Sequence, residues 1–140
     1  MNPAASPRTL TLAARADQVR SATSWLQAQA AGLPAQVLGR LELCLHEALA
    51  NVLEHAGLPA GASIGLELQL QAGRACLILR DPGRAFNPCL AVPVPRATRL
   101  EQTLPGGLGL VMLRANADQL EYAYVAERNQ LSISVCWRMV

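Results

Sequence analysis

Apolar residues recur at steps of three or four along residues 38–52, a spacing that places them on one face of an α-helix. This helix is predicted to run from Pro34, which suits a first helical turn, to about His55. An earlier helix, with Asp17 as its cap, is predicted over residues 17–31, which lack Pro and are rich in Ala, Leu and Gln. The apolar stripe of the longer helix comprises Leu38, Leu41, Leu45, Ala48 and Val52.

A period of two in the middle of the chain predicts β-strands. Apolar residues alternate with small or polar residues over 64–70, and a nearly continuous apolar run over 75–79 ends at Arg80-Asp81. Ala72-Gly73, between these two strands, is typical of a hairpin turn. Further strands are predicted over 8–14, 119–126 and 130–137, with residues 127–129 as the turn between the last two.

The segment over 82–105 contains five prolines and shows neither a helical nor a strand pattern. A structureless segment of this length in a small domain is usually a lid or a binding loop, and a lid is predicted over 84–105. The glycines that follow open a third helix, which is predicted to reach about Ala117. Residues 1–7 are predicted to be a flexible tail, and residues 8–140 a single domain.

The predicted order of elements is strand, two helices, two strands, lid, helix and two strands. We therefore expect an α+β fold: a two-layer α/β sandwich in which three helices cover one face of a mixed, mostly antiparallel sheet. Half of the residues are apolar and 16% are charged, so the 140-residue chain can bury a substantial core.

Composition argues against several kinds of site. All twelve basic residues are Arg, so no Lys is present for a P-loop phosphate site or for a Schiff base. The net charge of +2 gives no reason to expect direct binding to nucleic acid. No C-x-x-C pair is present for zinc, and Cys44, Cys76 and Cys136 lie in apolar runs that are typical of buried thiols.

The sequence also predicts the compartment. Its N-terminal residues lack the apolar region of a signal peptide, and no apolar stretch reaches the length of about 18 residues that spans a bilayer. We therefore expect a soluble, cytoplasmic protein with no membrane partner.

Glu47 and Asn51 lie four residues apart on the second predicted helix and therefore share a face, with His55 four residues further along. A carboxylate beside a carboxamide can hold a hydrated Mg²⁺ and position a hydroxyl group or a water, since Mg²⁺ prefers oxygen ligands and keeps several waters. The same spacing is also typical of an ordinary solvated helix face.

Asp81-Pro82-Gly83 follows a buried strand and offers a carboxylate at its end. An ionised carboxylate only accepts hydrogen bonds, so it can select the exocyclic amine of adenine over the carbonyl of guanine. Gly83 would let a base approach the backbone. The ordinary alternative is a turn after a strand.

A glycine box, Gly106-Gly107-Leu108-Gly109, opens the third predicted helix directly after the lid. Exposed backbone N–H groups at the start of a helix form a site for anions such as phosphates. The alternative for this segment is a flexible hinge.

Together, these three segments resemble the motifs of the ATPase superfamily that includes gyrase, heat-shock chaperone ATPases, histidine kinases and MutL. Residues 47–56 follow the form E-A-x-x-N-x-x-x-H-A, residues 81–88 the form D-x-G-x-x-F-x-P, and residues 106–110 read G-G-L-G-L. These forms resemble the anti-sigma serine/threonine kinase branch in particular, and the match covers about residues 8–138. The resemblance implies the Bergerat fold of that superfamily.

The resemblance implies ATP and Mg²⁺ as cofactors and gives roles to matching positions. Asn51 would ligate Mg²⁺, and Glu47 would act as the general base or polarise the attacking hydroxyl. Asp81 would bind the adenine amine, with Gly83 beneath the base. The glycine box, residues 106–109, would cradle the phosphates.

Two aromatic or heterocyclic residues of the motifs receive weaker assignments. His55 is left open between packing and a role in the site, and Phe86 is expected to pack the base of the lid. The lid itself departs from the pattern, since many relatives carry an Arg close to the glycines and residues 100–105 contain none. Arg96, Arg99 or Arg114 could substitute, but none of them aligns with that position.

The resemblance implies a serine/threonine protein kinase that is also an anti-sigma or analogous switch protein. Its implied partners are a STAS-domain antagonist, phosphorylated on Ser or Thr, and a sigma factor or analogous target; a homodimer is also compatible with the family. The alternative is a non-catalytic nucleotide-binding switch protein that sequesters its partner, which the missing lid Arg favours. A histidine kinase or a gyrase-like motor fits less well, because no dimerisation helix pair or transducer domain is recognised.

Overall fold

The computed structural model describes residues 8–90 and 107–139. Five strands form one sheet, and three helices pack with its inward face around a common core, which confirms the predicted α+β two-layer sandwich. The strands are β1 (Arg8–Ala13), β2 (Ser63–Gln71), β3 (Arg74–Asp81), β4 (Gln119–Val125) and β5 (Arg128–Cys136). The helices are α1 (Val19–Gln29), α2 (Ala35–His55) and α3 (Gly107–Asn116), and short 3₁₀ turns occupy Ala16–Gln18 and Pro88–Leu90.

The strand order across the sheet is β1-β2-β3-β5-β4, and every neighbouring pair is antiparallel. The sheet differs in this respect from the mixed sheet that we predicted. β3 and β4 run in the same direction, but β5 lies between them, so no two of the described strands form a parallel pair. β5, the last described strand along the chain, is therefore an interior strand, between β3 and β4.

The core lies between α2 and the inward face of the sheet. Leu41, Leu45 and Ala48 of the predicted stripe are fully buried, while Leu38 and Val52 pack at the border of the core. Burial of each such leucine contributes about 1.5–3 kcal/mol relative to exposure. The sheet residues that face them include Leu66, Leu68, Leu77, Leu79, Ile133 and Val135.

Several predicted boundaries are corrected by the structure. Asp17 does not cap α1, because a 3₁₀ turn precedes the helix and the Asp17 carboxylate accepts a hydrogen bond from Arg15 Nε at 3.0 Å. A 3₁₀ turn also occupies Pro88–Leu90, where no secondary structure was predicted. The predicted tail, most of the predicted lid and Gly106 lie outside the described residues. None of the described helices is long and apolar enough to cross a membrane.

All four cysteines are free thiols, and they differ in exposure. Cys44 is buried on α2, and this burial raises its pKa to about 11. Cys76 and Cys136 alternate with the inward residues of β3 and β5, so Cys76 is half-buried on the outer face and Cys136 is exposed. The prediction of burial was wrong for these two, because an apolar run does not reveal which face each residue occupies.

The turn between β4 and β5 holds two non-glycine residues in the left-handed region, Ala126 at φ 52° and Glu127 at φ 61°. Two-residue hairpin turns with positive φ at both positions favour Asn-Gly, and a residue with a Cβ costs about 1 kcal/mol there. We expect the double substitution Ala126→Asn, Glu127→Gly to raise the free energy of unfolding by about 1 kcal/mol in urea denaturation. Gly73→Ala, at φ +74° in the β2–β3 turn, is the reverse control and should lower it. If the double variant has the same free energy of unfolding as the wild type, the prediction that this turn is strained is wrong.

A polar network on the outer face of the sheet makes stability depend on pH in acid. Arg80 donates a hydrogen bond to Glu67 Oε1 at 2.8 Å, and Gln69 donates one to Glu67 Oε2 at 2.6 Å. These bonds, the one from Arg80 above all, hold the pKa of Glu67 below its ordinary value. The folded chain therefore releases this proton more readily than the unfolded chain. The resulting stability is present above the ordinary pKa and is lost as the pH falls through the folded-state pKa.

Glu67→Gln should lower the free energy of unfolding at neutral pH by about 1 kcal/mol, because the charge-assisted bond from Arg80 is weakened. Its stability should also decline less than that of the wild type between about pH 5 and about pH 3. The reason is that the variant lacks the Glu67 carboxyl group, whose pKa is lowered in the folded state. Urea denaturation at several pH values measures both effects. Glu121→Gln on the edge strand β4 is the control, and equal slopes for the wild type and Glu67→Gln would refute the prediction.

Candidate functional site

Asp81 is the last residue of β3, and its side chain is buried with 3% exposure. It faces inward because it continues the alternation of Leu77 and Leu79. Its Oδ1 accepts hydrogen bonds from the Gly83 N–H at 2.9 Å and from Asn129 Nδ2 at 3.0 Å. Among the residues that the structure describes, none donates a hydrogen bond to Oδ2.

Asn129 faces Asp81 across the β3–β5 ladder and is 4% exposed. Its Nδ2 donates to Asp81 Oδ1 and to the Arg84 carbonyl at 2.8 Å. Its Oδ1 accepts hydrogen bonds from the Phe86 N–H at 2.9 Å and from the Tyr122 hydroxyl. One side chain therefore joins β3, β4, β5 and the loop after β3.

No role was predicted for Asn129, because residues 127–129 were expected to form a turn. The two turn residues are Ala126 and Glu127, so Asn129 is the second residue of β5 and belongs to the sheet. Alternate residues of a strand share a face, and Leu131 and Ile133 face the core. The same alternation, continued two residues toward the N-terminus, would have predicted that Asn129 also faces the core.

The loop after β3 packs tightly against the C-terminal end of α2. A Cβ at Gly83 would lie 2.4 Å from the Ala56 carbonyl oxygen and 2.6 Å from the Ala56 Cβ, so no side chain fits there. The Arg84 N–H donates to the Ala56 carbonyl at 2.9 Å, and the Arg84 guanidinium donates to the His55 carbonyl at 3.2 and 3.3 Å. Arg84, which the sequence analysis also missed, thus satisfies carbonyl groups at the end of the helix.

The predicted position of Gly83 beneath a base stays a prediction. In the structure, the absence of a side chain at Gly83 is required by the contact with Ala56. The same contact brings Asp81 close to α2, since the Gly83 N–H is bonded to the Asp81 carboxylate.

α2 carries Asn51 to the same cavity as Asp81, and Asn51 is only 6% exposed. The alternative of an ordinary solvated helix face therefore does not hold for this residue. Glu47 lies one helical turn earlier and is half-buried. Within residues 8–90 and 107–139, its carboxylate has no ion-pair partner.

His55 lies further along α2 and packs against Phe86, with ring centroids 5.5 Å apart and ring planes 29° apart. Its Nε2 also lies 3.6 Å from Glu54 Oε2. Phe86 and Asp81 line the cavity, whereas His55 does not line it. Of the two alternatives left open for His55, the structure shows the packing contact.

The cavity between α2, β3, β4 and β5 encloses about 20 Å³, which is enough for a water molecule and too little for a purine. Phe86 and Pro88 close one side of it. A larger ligand therefore requires the side chains of Phe86 and Pro88 to move outward. The lining also includes Ala48, Asn51, Val52, Ala56, Asp81, Tyr122, Asn129 and Leu131.

The orientation of α3 bears on the position of the glycine box. Arg40, early in α2, donates to the carbonyl of Asn116 at the end of α3 at 2.9 Å. Because α3 packs along α2, this contact directs the first turn of α3 toward the later part of α2. A ten-residue helix is about 15 Å long, close to the rise of α2 from Arg40 to Asn51. We therefore expect Gly107, Leu108 and Gly109 to lie near the Glu47–Asn51 turn.

Arg114 was one of the arginines considered as a replacement for the missing lid Arg. Its guanidinium donates to the Cys89 carbonyl at 2.7 Å and so joins α3 to the 3₁₀ turn that follows Phe86. Arg96 and Arg99 lie outside the described residues.

A two-layer sandwich with a helix-borne amide and a strand-end carboxylate at one cavity is the architecture of a histidine kinase-like ATPase domain. The sequence matches that family over residues 12–135, and the chain belongs to it. This family match and a relative that is named a serine/threonine-protein kinase confirm the superfamily to which the motifs point. The serine/threonine-protein kinase BtrW of Bordetella bronchiseptica is 33% identical over 129 residues, 90% of this chain and 91% of that protein.

A solved structure agrees with the fold. The crystal structure of the RsbU and RsbW domains of Rv1364c from Mycobacterium tuberculosis matches with a TM-score of 0.62 and 16% sequence identity. The match covers 92% of this chain and 32% of that longer chain. At this level of identity, the likeness supports the fold.

Proposed function

We propose that this chain is an ATP-dependent serine/threonine protein kinase and an anti-sigma, partner-switching regulator that phosphorylates a STAS-domain antagonist. The observation that carries the proposal is the buried carboxylate of Asp81, which lines the cavity and has one oxygen held by two hydrogen bonds, while the other has no donor among the described residues. A buried carboxylate that only accepts hydrogen bonds selects a ligand that donates one. The 6-amino group of adenine donates, whereas guanine offers a carbonyl at that position.

Entry of adenine would widen the cavity at the side chains of Phe86 and Pro88 rather than at its sheet wall. Asp81 and Asn129 are held by several hydrogen bonds each, whereas Phe86 contacts the cavity through an apolar ring. Displacing Phe86 and Pro88 would expose the Asp81 carboxylate and leave apolar walls for the faces of the base. The predicted lid begins in this same segment, so base binding and lid movement would be coupled.

The residues on α2 fit a hydrated Mg²⁺. Asn51 offers an amide oxygen at the cavity wall, and Glu47 offers a half-buried carboxylate one turn away. Mg²⁺ takes one or two protein oxygens together with waters and phosphate oxygens, so this sparse donor set is sufficient. When bound, the ion would neutralise charge on the phosphates. Asn51 would hold it, as the motif predicts.

Glu47 would accept the proton of the attacking hydroxyl. The Ser or Thr oxygen of the antagonist forms a bond to the γ-phosphorus, the bond to the β-phosphate oxygen breaks, and ADP leaves. The hydroxyl proton passes to the Glu47 carboxylate. The backbone N–H groups of Gly107, Leu108 and Gly109, in the first turn of α3, would hold phosphate oxygens.

The relative from Bordetella bronchiseptica supports the kinase interpretation, because it is named a serine/threonine-protein kinase and matches nearly the whole chain. The alternative, a non-catalytic nucleotide-binding switch protein, gains support from Arg114, because its guanidinium is engaged with the Cys89 carbonyl.

Incubation of the full chain with γ-labelled Mg-ATP and a STAS-domain protein from the same organism tests the proposal. Transfer of label to a Ser or Thr of that protein is the expected result. A stable complex that forms with ATP but shows no transfer would favour the non-catalytic switch. Calorimetry that shows no binding of Mg-ATP would contradict both readings.

A further inference from the structure

Both the oxygen and the NH₂ group of the Asn129 side chain form hydrogen bonds with neighbouring groups. Its oxygen accepts from the Phe86 N–H and the Tyr122 hydroxyl. Its NH₂ group donates to the Asp81 carboxylate and the Arg84 carbonyl, with the Gly83 carbonyl at 3.5 Å. Reversing the amide would set its oxygen against a carboxylate and two carbonyls, so its orientation is fixed by chemistry.

This fixed amide determines which part of Asp81 a ligand can reach. Oδ1 receives two donors, the Asn129 amide and the Gly83 N–H, and these two bonds set the plane of the carboxylate. Asp81 also lines the cavity, and its Oδ2 has no donor among the described residues, so Oδ2 is the oxygen that a ligand would meet. Without Asn129, a single bond from the Gly83 N–H would remain, and the carboxylate could rotate about its Cβ–Cγ bond.

We infer that Asn129, oriented by Tyr122, is a positioning residue that aims Asp81 Oδ2 at the exocyclic amine of the nucleotide base. The inference rests on the proposed nucleotide-binding function and deepens it, because it explains how this site distinguishes adenine from bases without that amine. Asn129 acts through Asp81.

Tyr122 is suited to orient the amide. It lies on β4 and lines the cavity, and its hydroxyl must donate for the Asn129 oxygen to accept. Burial raises the pKa of Tyr122, so the phenol keeps its proton throughout the neutral range. Phe86, the second donor to the same oxygen, contributes through its backbone and is present in any side-chain variant.

The test compares two probes, ATP and purine riboside 5′-triphosphate, which lacks the 6-amino group, by calorimetry on the full chain with Mg²⁺. The wild type should bind ATP about tenfold or more tightly than the analogue, the value of one charge-assisted hydrogen bond. In Asn129→Ala this ratio should fall below about threefold, because Asp81 is no longer aimed at the amine. Tyr122→Phe keeps the ring in the cavity wall and should give an intermediate ratio.

Gln130→Ala is the matched control, because Gln130 is the next residue of β5 and bonds Arg80 Nε on the opposite face of the sheet. It should keep the wild-type ratio. If Asn129→Ala and Tyr122→Phe bind both nucleotides more weakly but keep the full ratio, Asn129 is merely structural and the inference is overturned. A wild type that binds both nucleotides equally also overturns it. A wild type that binds neither contradicts the proposed function itself.

Discussion

Replacing Glu47 with Gln should lower the rate of phosphoryl transfer by about 10²–10⁴-fold, the contribution typical of a general base. The change keeps the size and polarity of the side chain but removes the group that accepts the proton. ATP affinity should change by less than about threefold, because adenine would be bound by Asp81 in the cavity, and Glu47 does not line that cavity. Single-turnover transfer of label to the STAS-domain protein, together with calorimetry, measures both quantities.

Glu42→Gln is the matched control on the same helix. Glu42 Oε1 accepts a hydrogen bond from Gln27 Nε2 at 3.0 Å on the side of α2 that faces α1, and a glutamine can still accept it. Its transfer rate should stay within about twofold of the wild type, as for most surface substitutions. Transfer by Glu47→Gln at the wild-type rate would show that the base has been assigned to the wrong residue.

Gly83→Ala should lower the free energy of unfolding by about 3 kcal/mol and remove detectable ATP binding. The added Cβ would lie 2.4 Å from the Ala56 carbonyl oxygen and 2.8 Å from Asp81 Oδ1, and neither group can retreat freely. The Ala56 carbonyl is held by the Arg84 N–H, and the Asp81 carboxylate by Asn129. The loop after β3 must therefore separate from α2, which moves the carboxylate that would bind the base. Urea denaturation and calorimetry measure the two losses.

Gly39→Ala provides the control for a glycine in α2 itself. A Cβ at Gly39 would have no atom within 4 Å, and alanine favours a helix interior over glycine. Its free energy of unfolding should rise by about 0.5–1 kcal/mol. A Gly83→Ala protein with wild-type stability and wild-type ATP affinity would disprove the tight contact between the loop and α2.

Local periodicity was sufficient to predict most of the fold. The three-and-four spacing of α2 and the alternation of β2 depend on residues close together in sequence, and both elements were found where expected. Asn51 and Asp81, which the motifs singled out, line one cavity. Asn51 lies on a face of α2 and Asp81 at the end of β3, and the local sequence pattern is enough to predict each of these positions. The helix face and the strand end were therefore predictable before any long-range contact was known.

The contribution of β5 could not be predicted in the same way. Asn129 meets Asp81 only through the β3–β5 register, a pairing of residues 48 apart in sequence. The turn before it carries Ala126-Glu127, which lacks the Asn or Gly that marks such turns, so the start of β5 was hidden. The exposure of Cys76 and Cys136 was missed for a related reason, since only the register tells which face of the sheet they occupy.

The central place of β5 has a consequence for the order of assembly. While the chain is being synthesised, the edge of β3 that will receive β5 stays open until residues 128–136 have emerged from the ribosome. Unpaired strand edges recruit other chains, and pairings between distant segments form slowly. A nascent chain that stalls before residue 128 would carry Asn51 and Asp81 without the strand that joins them into a site. Competence to bind nucleotide would therefore arise only once residues 128–136 have been made and have paired with β3.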